Sequence, residues 1–154
     1  MASPKVKKQK YLNYTSIGWR EWVYLPKYKD FAIKAKVDTG ARTSAIHATH
    51  IEEYKSSGKK RVRFRLHQSK EKINISTELL RYLKITSSFG DSEIRPLIRL
   101  KICLGNRSWF TEVTLTTRTR MTYPMLIGRN TLMKKYLIHS HKSYLTGKNK
   151  HICQ

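Results

Sequence analysis

Acid is scarce in this chain. Ten aspartates and glutamates stand against 32 lysines and arginines, a formal net charge of +22 over 154 residues. Aspartate occurs only as Asp30, Asp38 and Asp91, so chemistry that needs that carboxylate has few places to sit. Cysteine is also sparse. Cys103 and Cys153 make no disulfide framework and suit a reducing compartment. No apolar run approaches the roughly 20 residues of a membrane-spanning helix. The lysine-rich start, Met1 to Lys10, is followed by no apolar stretch of the kind a secretory signal carries, so the expected compartment is the cytoplasm. No GxSxG elbow and no HExxH motif occur, which leaves a serine hydrolase and a zincin without support. Neither GxGxxG nor GxxxxGK[ST] is present, so nothing argues for a nucleotide cofactor, and no cofactor is expected. There is no internal repeat.

What the chain has in excess is positive charge, and that speaks to partners rather than fold. Nucleic acid, ribosomal surfaces and acidic peptides would all be attracted. The length suits one domain. Residues 1–16 read as a flexible basic arm, 17–145 as the folded domain and 146–154 as a basic tail. Large side chains crowd Trp19 to Leu25, and Pro26 stops that strand. Phe31 to Val37 alternates, with Phe31, Ile33, Ala35 and Val37 on one face and Lys34 and Lys36 on the other, the mark of a half-buried strand. Further strands are expected over Thr43–His50, Arg61–Leu66, Ile94–Leu104, Trp109–Thr116, Met125–Ile127 and Leu137–Leu145. Leu104-Gly105-Asn106-Arg107 signals a hairpin. A helix is expected over Asn130–Tyr136, with Asn130 as its cap. Short strands, regular turns and one short helix predict a mainly β, closed barrel-like domain.

Asp38 stands out by its setting. It ends an apolar alternating strand and is followed by Thr39, Gly40 and Ala41. A carboxylate there sits at the rim of a core, and Gly40 leaves backbone amides able to hold it. An ordinary turn would read the same way. A second segment adds weight: Pro124-Met125-Leu126-Ile127-Gly128-Arg129-Asn130, an apolar strand, a glycine and a helix. The histidines make weaker candidates. On a strand, the odd spacing of His47 and His50 puts them on opposite faces, wrong for joint ligation. His139 and His141 share a face without an obvious third ligand. No metal site is expected.

The two segments together resemble retroviral-type aspartic proteases, which carry Asp-Thr-Gly-Ala after an apolar strand and Gly-Arg-Asn before the last helix. The resemblance narrows to the bacterial family called "ATP-dependent zinc protease" or RimB-like, after its association with the RimK glutamate ligase. Trp19-Arg20-Glu21-Trp22-Val23 and Ala35 to Ala48 carry it. So do Ser87-Ser88-Phe89-Gly90, Ile94 to Ile98 and Met121 to Arg129. It covers about Ile17 to Leu145. The family tends to have an aspartate where this chain reads Ile138-His139-Ser140. The zinc and ATP of the family label find no motif here.

The resemblance implies a retropepsin-like closed β barrel with one short C-terminal helix, active as a two-fold homodimer. Asp38, Thr39 and Gly40 would form the catalytic loop, and the paired Asp38 carboxylates would share one proton and activate a water. Ile127, Gly128 and Arg129 would support that loop from behind. Arg129 is expected to tether the dimer or a neighbouring loop rather than take part in chemistry. Lys84–Arg95, with Ser87, Ser88 and Gly90, is the candidate flap over the cleft, and an ordinary exposed hairpin is its plain alternative. Arg42 could bind an acidic substrate side chain or form a surface salt bridge. RimK-type ligases add glutamates to a ribosomal protein, so acidic tails, the ribosome or the ligase are the implied partners. The competing readings are a non-catalytic basic regulator of that ligase or of the ribosome and, more weakly, a zinc enzyme using His47, His50 or His139.

Overall fold

The computed structural model describes residues 12–87, 89–117, 122–133 and 135–147. The strands are β1 (Thr15–Gly18), β2 (Arg20–Leu25), β3 (Phe31–Val37), β4 (Ser44–Ser56), β5 (Lys59–Gln68), β6 (Glu71–Glu78), β7 (Arg81–Thr86), β8 (Ser92–Leu104), β9 (Arg107–Thr116), β10 (Met125–Ile127) and β11 (Tyr136–His139). One short helix, α1 (Arg129–Leu132), follows β10, and a 3-10 turn covers Pro26–Tyr28. The chain is mainly β.

Alternation along β3 is as the sequence reads: Ile33 and Ala35 are buried, Phe31 and Val37 pack against the same core, and Lys36 is exposed. β3 pairs antiparallel with β2, and the order continues through β8, β9 and β4. The three-residue β10 closes the circuit. It pairs parallel with β3, Ile127 opposite Val37, and antiparallel with β4, Met125 opposite Ile46. The sheet is therefore a ring around a core that includes Val23, Leu25, Ile33, Ile46, Ile98, Leu100, Val113, Leu115 and Met125. β4 and β8 are 13 residues long and run beyond the ring. The overhang of β4 carries β5 and β6, and that of β8 pairs with β7. β1 and β11 form a separate parallel pair.

Several expectations need correcting. The strand expected over Thr43–His50 runs to Ser56, with a register shift between Thr49 and Glu52. β6 and β7 were not expected. The helix is four residues, not seven, and Tyr136 belongs to β11, its ring buried and its hydroxyl donating to the Leu104 carbonyl at 2.7 Å. The last strand stops at His139. β1 already begins at Thr15, inside the segment read as an arm. Cys103 is fully buried, and Cys153 lies outside the described residues.

Candidate active site

Three pieces of chain meet where the ring closes. β3 ends at Val37, β4 starts at Ser44, and Asp38 to Thr43 loops between them across the β10–α1 junction. Backbone bonds fix the loop at both ends. The Asp38 amide donates to the Ile127 carbonyl at 2.9 Å, and the Arg129 and Asn130 amides donate to the carbonyls of Ala41 and Arg42 at 2.9 and 3.0 Å. The Ala41 amide returns to the Asp38 carbonyl at 3.2 Å. The Asp38 Oδ1 accepts the Gly40 N–H at 3.0 Å. Asp38 is partly exposed, and Thr39 and Gly40 are exposed, so the carboxylate is held at an open rim. Asp30 stands at the far end of β3 and Asp91 in the β7–β8 turn. Of the three aspartates, Asp38 alone lies at this junction.

Behind the loop is a small buried polar cluster. The Gly128 amide donates to Ser44 Oγ at 2.9 Å. Ser44 Oγ also lies 2.6 Å from Thr131 Oγ1 and 3.1 Å from Asn130 Oδ1. Thr131 Oγ1 lies 2.9 Å from Thr111 Oγ1. Asn130 is not a helix cap, since α1 starts from Gly128 with no side-chain cap. Its Oδ1 accepts the Ser44 amide at 3.0 Å, and its Nδ2 donates to the Glu112 carbonyl at 2.8 Å. Gly128 is required by contact rather than by backbone angle. A Cβ there would lie 2.7 Å from the Thr43 carbonyl carbon and 2.9 Å from the Ser44 nitrogen. Arg129 Nη1 donates to the Thr39 carbonyl at 2.9 Å, so within one chain it tethers the neighbouring loop.

A second brace stands beside β3. The Val37 amide donates to the Trp19 carbonyl at 2.8 Å. Trp19 meets the Tyr123 ring edge-on at 6.0 Å, and Arg20 Nη1 donates to the Tyr123 hydroxyl at 2.8 Å. That hydrogen bond raises the guanidinium above its ordinary value. Sequence reasoning quoted Arg20, Ser44, Asn130 and Thr131 or their segments without their roles. A serine placed just before the apolar Ala45 and Ile46 at the start of β4 was the one available signal.

The remaining candidates are spread out. Lys84–Arg95 is a hairpin of β7 and β8, closed by the Ser87 amide to the Asp91 carbonyl at 2.7 Å. Ser87 Oγ accepts the Phe89 and Asp91 amides, and Gly90 takes φ +88°, open to glycine without strain. Phe89 at the tip is 93% exposed. Ser88 lies outside the described residues. Arg42 is exposed and belongs to neither ion pair among the described residues, Arg63–Glu52 and Arg95–Glu93. His47 is half-buried, 6.2 Å from the His67 ring, whereas His50 is exposed and hydrogen-bonds Thr49. No group of three or more His, Cys, Asp or Glu among the described residues is placed to hold a metal.

A sheet ring closed by a short strand, with an Asp-Thr-Gly loop crossing a Gly-Arg-Asn turn, defines a retropepsin-like unit. The chain belongs to the RimB-like family, described as retropepsin-like aspartic endopeptidase RimB, whose family model matches residues 16–149. It is similar to a protein of Shewanella pealeana named "Probable alpha-L-glutamate ligase", 42% identical over 135 residues, which are 85% of this chain and 30% of that protein. A protein of the same name from Desulfotalea psychrophila is 35% identical over 126 residues, 79% of this chain and 27% of that one. The chain thus spans about 30% of the length of these curated relatives. The crystal structure of Lpg0085 from Legionella pneumophila, of unknown function, superposes with a TM-score of 0.76 at 27% identity, over 86% of this chain and 98% of that one.

Proposed function

We propose that residues 17–145 act as one half of an aspartic endopeptidase, a barrel-like unit whose active site is completed by a second copy. The observation that carries this reading is the Asp38 carboxylate, held by the Gly40 amide on a loop that Ile127, Gly128 and Arg129 brace from behind. A two-fold axis through that loop would set two Asp38 side chains face to face. Two adjacent carboxylates cannot both ionise freely, so they share one proton. The ionised Asp38 takes a proton from a water, which attacks the peptide carbonyl, while the protonated Asp38 donates to the carbonyl oxygen. The tetrahedral intermediate collapses as the amine leaves with a proton, and no covalent enzyme adduct forms. Thr39 is exposed where it can bond the partner loop. The β7–β8 hairpin, with Ser87, Ser88, Gly90 and Phe89, is the flap, and Arg42 offers a cation to an acidic substrate.

Names of the relatives suggest the setting. In them a unit like this one accounts for under a third of a glutamate ligase, so acidic peptides are the substrate class of first choice and a ligase of that kind the natural partner. A basic surface also suits ribosome contact in the cytoplasm. The same relatives favour a second reading, in which the unit only binds and regulates the ligase. Cleavage of a mixed peptide library between about pH 4 and 8, by wild type and Asp38→Asn with the molar mass of each, separates the two. Activity from a wild-type dimer that is lost in an equally dimeric Asp38→Asn establishes the peptidase. Activity that survives in Asp38→Asn, or none in either protein, removes it.

A further inference from the structure

A cavity of about 920 Å³ opens at the end of β3 opposite Asp38. β3 is seven residues long, which separates the two places by roughly 20 Å. One wall is the turn between β2 and β3, and the other is the β5–β6 turn. A tether sets their spacing, since the Lys34 amide donates to Gln68 Oε1 at 2.7 Å. Trp22, Tyr28 and Phe31, each half-buried, give the cavity aromatic walls. Lys27, Lys29, Lys70 and Lys72 are exposed around it. Asp30 and Glu71 stand on the same walls, and no ion pair to a lysine is formed there among the described residues. The backbone is held in the left-handed region at Lys29, Asp30 and Ser69, with φ of 54°, 54° and 55°, where no glycine relieves it.

We propose that this cavity binds a nucleoside phosphate unit, independently of the Asp38 site. Lysine ammonium groups are point-charge partners for phosphate. Aromatic side chains at the wall suit a nucleobase, whose face stacks on them in any sequence. A polycarboxylate would use the cations and leave the aromatic walls idle. The volume lies within the range of small-molecule sites. The unit can come from a free nucleotide or from a single-stranded RNA.

A chain of +22 binds any polyanion to some extent, so the test must be local. Titrations use adenosine 5′-monophosphate by calorimetry, and a labelled oligoadenylate and a labelled polyglutamate by anisotropy. They compare wild type, a triple Lys29→Ser, Lys70→Ser, Lys72→Ser variant, and a control with Lys55, Lys59 and Lys60 changed to serine. The control removes the same charge at the β4–β5 hairpin, also exposed. The cavity variant is expected to lose roughly tenfold or more for the nucleotide ligand, and its salt slope on the oligonucleotide to fall by about 2. The control should lose much less, and peptide cleavage should be unchanged in both. Binding of the mononucleotide by itself identifies a free nucleotide as the source, and binding of the oligonucleotide alone identifies a strand. Equal losses in the two variants, or a loss of polyglutamate affinity in the cavity variant as large as its loss for the oligonucleotide, would overturn the proposal.

Discussion

Glu21 is held by four hydrogen bonds inside the protein. It is fully buried, yet it forms no ion pair among the described residues. Its carboxylate is satisfied by donors instead: the amides of Gly18 at 2.6 Å, Leu145 at 2.9 Å and Thr146 at 3.2 Å, and the Thr146 hydroxyl at 2.8 Å. One acid thus fastens the segment after β11 to the start of β2. Glu21→Gln puts an NH2 group where an acceptor is required and is expected to cost about 2–4 kcal/mol in urea unfolding. A second residue-level prediction concerns pH. Burial holds the His67 ring below its ordinary value, and the nearby His47, Arg65, His50 and Lys72 press the same way. The unfolded chain therefore takes up that proton first as pH falls. The stabilisation is whole above about pH 6.5 and declines below it. Urea midpoints measured across that range should fall on the acid side in wild type and fall less in His67→Gln.

Strands were legible where one face is apolar and the other charged. β3 and β10 were read to the residue because each sits in the ring wall, with a core side chain at every second position. β7 has no fully buried residue; only Leu83 and Ile85 alternate to half-buried positions, too short a pattern to mark the strand, which is held by its ladder to β8. β6 buries only Ile75 among exposed charges and hydroxyls. The helix was overread because Asn130 is a good cap by type, but its side chain is already occupied by Ser44 and Glu112. The Asp38 loop and the Gly128 turn were visible as motifs. The Glu21 lock was not, because all of its donors except the Gly18 amide lie more than 120 residues away. At this scale Gly128→Ala is the telling change. Its Cβ meets backbone, which cannot rotate aside as a side chain does. The β10–α1 junction must shift from the Asp38 loop, at a cost on the order of 1–3 kcal/mol. Circular dichroism should show the sheet retained, while cleavage falls far more than the stability loss explains.

At the scale of the whole molecule, charge sets the terms of assembly. Two copies of this chain, each at +22, must approach if paired Asp38 residues are to meet. Their repulsion is long-ranged in dilute buffer and is confined to about 10 Å at 0.1 M salt. Added salt should therefore tighten the dimer. The same salt weakens the attraction of an acidic peptide, because that attraction is screened as well. The two effects oppose each other, and enzyme concentration separates them. Dilute enzyme is expected to show activity that scales with the square of chain concentration and rises as salt is first added. Concentrated enzyme, already paired, should only lose activity as KM climbs. Sedimentation equilibrium at the same salts checks the assembly arm directly. Full activity from a chain that sediments as a monomer at every concentration would rule out the shared site, whatever the salt did to the rate.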